Sequence, residues 1–272
     1  MPSPTQITPS QLNRLIGTPD CPVIIDVCID ADFQEDPRLI PTARRHPFPQ
    51  IMELADELQG KRVVIVCQKG KKLSAGASAL LRTAGISAES LEGGNFAWRD
   101  VGLPLVPVEK IPPLTKAGTT LWVTRHRPKV DRIACPWLIR RFIDPRAQFL
   151  FVPPAEVLEV AEKFNATPFD VNVVHWSHRG ENGEFCTFDT MIEEWQIRSE
   201  ALDRMAVLVR GADTDRHDLA PEAAGLLAAS LGLSRMYRDD LAQVEAGMLI
   251  YDAFYRWARD AHSESHDWPA TQ

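Results

Sequence analysis

Pro104, Pro107, Pro112 and Pro113 fall within ten residues, and they constrain this chain more than any other feature. Proline fixes φ and has no N–H to donate, so neither a helix nor a central strand can run through such a stretch. The chain must therefore fold in separate pieces on either side of it. At roughly 150 residues per domain, 272 residues allow two. The expected division is a first domain over 5–107, an extended Pro-rich linker over 108–118 and a second domain over 119–262.

Charge divides at the same place. Residues 1–110 carry 12 basic and 13 acidic side chains, and the remainder carry 18 and 24, for a total of −7. An acidic total argues against a whole-surface nucleic-acid binder but allows a local basic patch. No apolar run approaches the roughly 20 residues of a membrane span. Met1 to Gln11 has neither a basic n-region nor an apolar h-region, so no signal peptide is expected. The five cysteines, at 21, 28, 67, 135 and 186, are odd in number and irregularly spaced. They do not make a disulfide framework, and they suit a reducing cytoplasm in which cysteine acts as a thiol.

The first piece alternates strand and helix. Val23–Val27 and Arg62–Cys67 are β-branched apolar runs of the kind buried on both faces of a parallel sheet. Ile51, Leu54, Ala55 and Leu58 give the intervening Pro49–Gln59 one helical apolar stripe, and Ser74–Thr83 predicts a second helix ending before Gly85. The fold class is α/β, a parallel sheet with flanking helices. The second piece predicts strands at Thr120–Thr124 and Gln148–Val152 and helices near Cys135–Ile143 and Ala155–Phe164. Asn182-Gly183 predicts a hairpin joining 170–178 to 184–188. From Ser199 the pattern is helical, with one segment running from Ser234 to about Asp260. This domain is expected to be mixed α+β, ending in helices.

Cys67 is the sharpest chemical signal. It ends an apolar strand, and Gln68-Lys69-Gly70-Lys71-Lys72 leads into a helix. Loop amides, a helix start and three lysines all favour a thiolate nucleophile, and they also form a cradle for a small oxyanion. The plainer alternative is a packed thiol beside solubilising lysines.

The first piece resembles the rhodanese domain, a thiosulfate-type sulfurtransferase module. The resemblance rests on Ile24-Ile25-Asp26-Val27, Ile40-Pro41-Thr42-Ala43, Val63 to Cys67 with its loop, and Leu91 to Trp98 followed by Gly102 and Pro104. It implies a persulfide on catalytic Cys67, with Gln68, Lys69, Gly70, Lys71 and Lys72 holding the sulfur or its oxyanion donor. It implies thiosulfate as donor, a thiol or cyanide as acceptor and no cofactor for the transfer. Cys28 and Lys72 stand where the family commonly has arginine, and the loop is one residue longer.

Residues 121–149 hold seven Lys or Arg against Asp131 and Asp144, a net +5 inside an acidic domain. Arg125 and Arg132 are candidate oxyanion ligands there. Cys135 before Pro136 reads as a helix N-cap, where a thiolate is favoured; an amphipathic helix with solvated arginines is the plainer alternative. His178, Asp189 and His217 are candidate metal ligands in the second domain, although their spacing fits no zinc signature. A histidine that only makes structural hydrogen bonds remains the alternative. Val130-Asp131-Arg132-Ile133-Ala134-Cys135-Pro136-Trp137, the segment from His178 to Asp189, Val209 to Asp213 and Tyr251 to Tyr255 resemble the C-terminal domain of the chromate resistance family labelled ChrB. The resemblance implies a setting in chromate resistance, with chromate itself among the ligands. Two alternatives stay open: a chromate-responsive transcriptional regulator, although residues 1–110 show no basic recognition helix, and a non-catalytic oxyanion-binding protein.

Overall fold

The computed structural model describes residues 5–181 and 184–264, so the predicted Asn182-Gly183 turn lies outside the described residues. The chain divides into two units. One comprises Met1–Thr120 with two short returns, Leu138–Ala147 and Glu194–Ile197; the other comprises Leu121–Trp137, Gln148–Glu193 and Arg198–Gln272. The first division thus falls just past the prolines. The Pro-rich stretch is itself tied down: Val108–Lys110 forms a 3-10 turn, and the Trp195 indole N–H donates to Lys110 O at 3.0 Å.

The first unit has strands β1 (Gln6–Ile7), β2 (Val23–Asp26), β3 (Arg38–Leu39), β4 (Arg44–Arg45), β5 (Arg62–Val66), β6 (Ser87–Leu91) and β7 (Val106–Pro107). Its helices are α1 (Pro9–Leu15), α2 (Asp30–Gln34), α3 (Ala55–Leu58), α4 (Lys72–Thr83) and α5 (Gly94–Asp100). Five strands form one parallel sheet in the order β1-β6-β5-β2-β4, and β3 and β7 pair separately as an antiparallel ribbon. The two apolar runs occupy the middle of the sheet. Ile24, Ile25 and Val63 to Val66 are all buried, each contributing about 2 kcal/mol on burial. The expected helix over Pro49–Gln59 is mostly a 3-10 helix at Phe48–Leu54, with α3 as its last turn.

The second unit has a three-stranded parallel sheet in the order β10-β8-β9, from β8 (Leu121–Arg125), β9 (Gln148–Val152) and β10 (Thr167–Pro168). Helices α6 (Asp131–Leu138), α7 (Val157–Phe164), α8 (Thr187–Glu194), α9 (Glu200–Asp213), α10 (Ala223–Met236) and α11 (Asp240–Arg256) complete it. Val123 packs with Val157, Ala161 and Ala166 under α7. Around Trp137, an aromatic cluster gathers Phe188, Tyr251 and Tyr255.

Three local expectations change here. α6 opens four residues earlier than the Cys135-Pro136 signal suggested, so Pro136 sits inside it. Its missing N–H breaks the helical ladder, and the chain continues as a π turn over Ile139–Ile143. Among the described residues the predicted hairpin survives only as an isolated antiparallel bridge between Arg179 and Phe185. Thr187 and Phe188, expected to end the second arm, instead open α8. The long C-terminal helix is broken at 237–239, where Asp239 caps α11 by accepting from Ala242 N at 2.7 Å.

Candidate functional site

Cys67 follows β5 directly, and the Gln68–Lys71 loop turns the chain into α4. Two glycines make that turn possible. Gly70 has φ +62° and Gly94 has φ +62°, a region that side-chain-bearing residues avoid. A Cβ on Gly94 would sit 2.0 Å from Cys67 O and 2.3 Å from Gly70 N, so loop and α5 lie backbone against backbone. Asn95 N donates to Cys67 O at 3.0 Å and Phe96 N to Gln68 O at 3.0 Å, which fastens the loop to the start of α5.

The Cys67 sulfur lies 3.1 Å from the Ser74 hydroxyl, which sits in the first turn of α4 and also donates to Lys71 O. N–H groups in the first turn of a helix have no partner within it, so this end favours negative charge. Lys69, Lys71 and Lys72 are exposed around it. The Gln68 side chain faces elsewhere, donating to Glu35 Oε2 at 2.8 Å. Cys67, Lys69, Gly70, Lys71 and Lys72 thus share the turn between β5 and α4, while the Gln68 side chain is engaged with Glu35.

A second thiol, Cys28, lies on the neighbouring strand's end. Cys28 follows β2, the strand paired with β5, and Val27 N donates to Val66 O at 2.8 Å. Asp26 Oδ1 accepts from Cys28 N at 2.7 Å, and the Asn95 side-chain amide donates to Asp26 Oδ2 at 2.8 Å and to Cys28 Sγ at 3.5 Å. Burial, the Asp26 carboxylate and the nearby Cys67 push the Cys28 thiol well up, so it holds its proton. A cavity of about 160 Å³ opens on Cys28, Gln68 and Asn95, with Asp36, Arg38 and Arg99 around it. A larger cavity of about 800 Å³ lies against Cys21, Thr42, Arg44, Glu57 and Arg146. Burial pushes the Cys21 thiol there up to about 11, which is not an activated nucleophile.

In the second unit the sequence-predicted residues are regrouped. Arg125 and Arg132 do not stand open to an anion: they reach the same oxygen, Asp170 Oδ2, at 2.9 and 3.1 Å. His178 Nε2 lies 3.3 Å from Asp213, 3.5 Å from Asp170 and 3.6 Å from Asp131. Asp189 pairs instead with Arg210, and His217 lies near Asp215. Of the three predicted ligands, only His178 joins a group whose donor atoms could meet at one ion: among the described residues Asp131, Asp170 and His178 have such atoms within 4.8 Å of one another.

Asp131 is completely buried, and it accepts from Thr187 N at 2.7 Å and Phe188 N at 3.1 Å, so its carboxylate caps the start of α8. Burial and the Asp213 and Asp170 carboxylates push it up to about 8. Hydrogen bonds from His178 to Asp170 and Asp213 raise the imidazole to about 11, so it carries a proton between them. Asp131 follows Val130, a buried β-branched residue at φ +26°, held there by Ser230 Oγ on its N–H and the Tyr251 hydroxyl on its carbonyl. Cys135 is buried inside α6 with its sulfur 3.4 Å from Asp131 Oδ1, and Cys186 lies beside Asp189. Burial and neighbouring carboxylates drive both thiols well up, so the expected N-cap thiolate at Cys135 is not formed. No sequence signal brought Asp131, Asp170 and Asp213 together, because they come from three elements far apart along the chain.

Among known proteins, residues 122–258, half of the chain, match the ChrB C-terminal domain, and residues 8–100 match the rhodanese-like domain. Protein ChrB of Cupriavidus metallidurans is 32% identical over 136 residues, which are 49% of this chain and 39% of that protein, so the matched stretch spans about two-fifths of the relative's length. A rhodanese-like domain protein from Staphylococcus aureus is 30% identical, covering 35% of this chain and 90% of that one at a TM-score of 0.30. A thiosulfate sulfurtransferase from Pseudomonas aeruginosa is 27% identical, covering 38% of this chain and 19% of that one at a TM-score of 0.32.

Proposed function

Because the chain belongs to the family of the ChrB C-terminal domain and carries a rhodanese-like domain ahead of it, we propose a rhodanese-type sulfurtransferase that serves chromate resistance. The observation that carries this reading is the Cys67 sulfur, placed at the strand end against Ser74 and the first turn of α4, amid three lysines. An anionic donor such as thiosulfate meets positive charge there. The Cys67 thiolate attacks the outer sulfur of thiosulfate, a new S–S bond forms, and sulfite leaves with the electron pair of the broken bond. The Ser74 hydrogen can turn from Lys71 O to the anionic sulfur, and the loop amides hold the departing oxyanion. A thiol or cyanide then removes the outer sulfur and restores Cys67. No cofactor enters this cycle.

The test is direct. Thiosulfate should add the mass of one sulfur atom to Cys67, and thiosulfate:cyanide activity should vanish in Cys67→Ser. A Cys67→Ser protein with full activity would refute the reading.

For the second unit, the grouping of Asp131, Asp170 and His178 supports binding of a divalent cation of the borderline kind that accepts carboxylate and imidazole together. Arg125 and Arg132 already offset charge on Asp170, so the cation would have to displace the His178 proton. Mn²⁺ and Zn²⁺ titrated into the full chain should raise its melting temperature, and His178→Ala should abolish that rise. An equal rise in His178→Ala would remove the site. With both basic side chains engaged at Asp170, an anion finds its best-supported place at the Cys67 loop, where chromate or sulfate would compete with thiosulfate.

A further inference from the structure

The cavity that could admit a sulfur acceptor is walled by Cys28, while Cys67 faces Ser74 and the lysine loop. From this arrangement we infer that Cys28 is a second sulfur-carrying thiol, which takes the outer sulfur from Cys67 and presents it to the acceptor. The inference rests on the persulfide reading of Cys67 proposed above.

Three observations bear on this pair of residues. β2 and β5 are paired in parallel with Asp26 opposite Val66, so Cys28 and Cys67 leave adjacent strands one register step apart. In ideal parallel strands, about 4.8 Å apart with a rise of about 3.3 Å per residue, positions one step out of register are about 6 Å apart at Cα. Asn95 touches both: its backbone N–H donates to Cys67 O and its side-chain amide to Cys28 Sγ. The Asn95 carbonyl oxygen, Oδ1, is buried and has no partner among the described residues, which leaves an acceptor for an S–H at the same place. Burial beside Asp26 and Cys67 also keeps Cys28 protonated at rest, so the thiol needs a base, and Asp26 is the carboxylate in contact with its residue.

The transfer balances without an oxidant or reductant. Cys28 Sγ attacks the outer sulfur of Cys67–S–SH while its proton passes to Asp26. A bond forms between Cys28 Sγ and the outer sulfur, and the bond from that sulfur to Cys67 Sγ breaks. Its electron pair stays on Cys67, which leaves as a thiolate facing the start of α4 and its lysines. Cys67 thiolate then recovers the proton, so Cys28–SH and Cys67–S–SH become Cys28–S–SH and Cys67–SH. The outer sulfur keeps its hydrogen throughout. The charged rim of Asp36, Arg38 and Arg99 suits a small zwitterionic or charged thiol as acceptor.

The experiment loads the full chain with thiosulfate, blocks thiols and persulfides with an alkylating reagent, and maps both cysteine peptides by mass. In the wild type the added sulfur should appear first on Cys67 and then on Cys28. In Cys28→Ser, and in Cys28→Ala as a second replacement, it should accumulate on Cys67 alone, and turnover with a small thiol should fall about tenfold. In Cys67→Ser, Cys28 should acquire none. Sulfur confined to Cys67 throughout the wild-type time course would overturn the relay while leaving the persulfide reading intact. So would a Cys28–Cys67 disulfide with release of sulfide, because the attack would then fall on the inner sulfur. Direct loading of Cys28 in Cys67→Ser would overturn the order of transfer. An absence of sulfur on Cys67 in every one of these proteins would remove the persulfide reading, and the relay with it.

Discussion

Both units place cysteine near the start of a helix, and the two helix starts have opposite fates. At α4 the first turn faces the Cys67 sulfur and exposed lysines, with no side-chain cap on its N-terminal residue. At α8 the first two N–H groups are already taken by the buried Asp131 carboxylate. Cys135 and Cys186 then share their pocket with carboxyl groups and are held as thiols, whereas Cys67 faces the Ser74 hydroxyl and is followed by exposed lysines at 69, 71 and 72. Helix starts attract anions wherever they occur; which anion is resident decides whether the nearby sulfur can react.

The largest expected effect tests this contrast at the sulfur itself. Cys67→Ser should lower sulfur transfer by ~10³ or more, while Cys135→Ser and Cys186→Ser leave the rate per folded molecule unchanged. Equal losses in all three would erase the distinction between the two pockets. Next comes the backbone that shapes the reactive loop. Gly94→Ala forces a Cβ into Cys67 O at a positive φ and should cost about 4 kcal/mol of unfolding free energy, read from urea midpoints. Asp131→Ala uncaps α8 in a dry site and should cost about 3 kcal/mol, with Asp131→Asn, which keeps one acceptor oxygen, nearer 1 kcal/mol. If Asp131→Ala were neutral, the carboxylate would not be what holds that helix start. The smallest effect has the opposite sign. Gly76 lies within α4 with open space around its Cα, so Gly76→Ala should stabilise the reactive unit by about 0.5–1 kcal/mol and leave its activity intact.

How much of this was legible in the sequence differed between the units for the same physical reason. Around Cys67 the arrangement is local: strand, thiol, lysine loop and helix follow one another within about a dozen residues, so periodicity sufficed to read that order of elements. Cys28 escaped because its role depends on strand order, which brings β2 beside β5. In the second unit the strand at Gln148–Val152 was read to the residue, since a short apolar, β-prone run identifies it. The basic stretch was legible as charge, but the engagement of Arg125 and Arg132 depends on Asp170, which reaches them through the tertiary fold. Cys135-Pro136 misled because proline is favoured at a first helical turn, and here it is tolerated inside α6 by a π turn that follows. Likewise, the turn signal at Asn182-Gly183 suggested an extended partner where a carboxylate-capped helix begins instead.

The backbone seam between Gly70 and Gly94 has a dynamic consequence. Because Cys67 O and Gln68 O each accept a hydrogen bond from α5, the Cys67 loop cannot swing open without unzipping the start of that helix. Amide hydrogens of Gly70, Asn95 and Phe96 should therefore exchange with solvent at one common rate, as a single cooperative unit. The thiol would then meet its substrates in a rigid frame, and molecules would be sorted by the shape they bring to it.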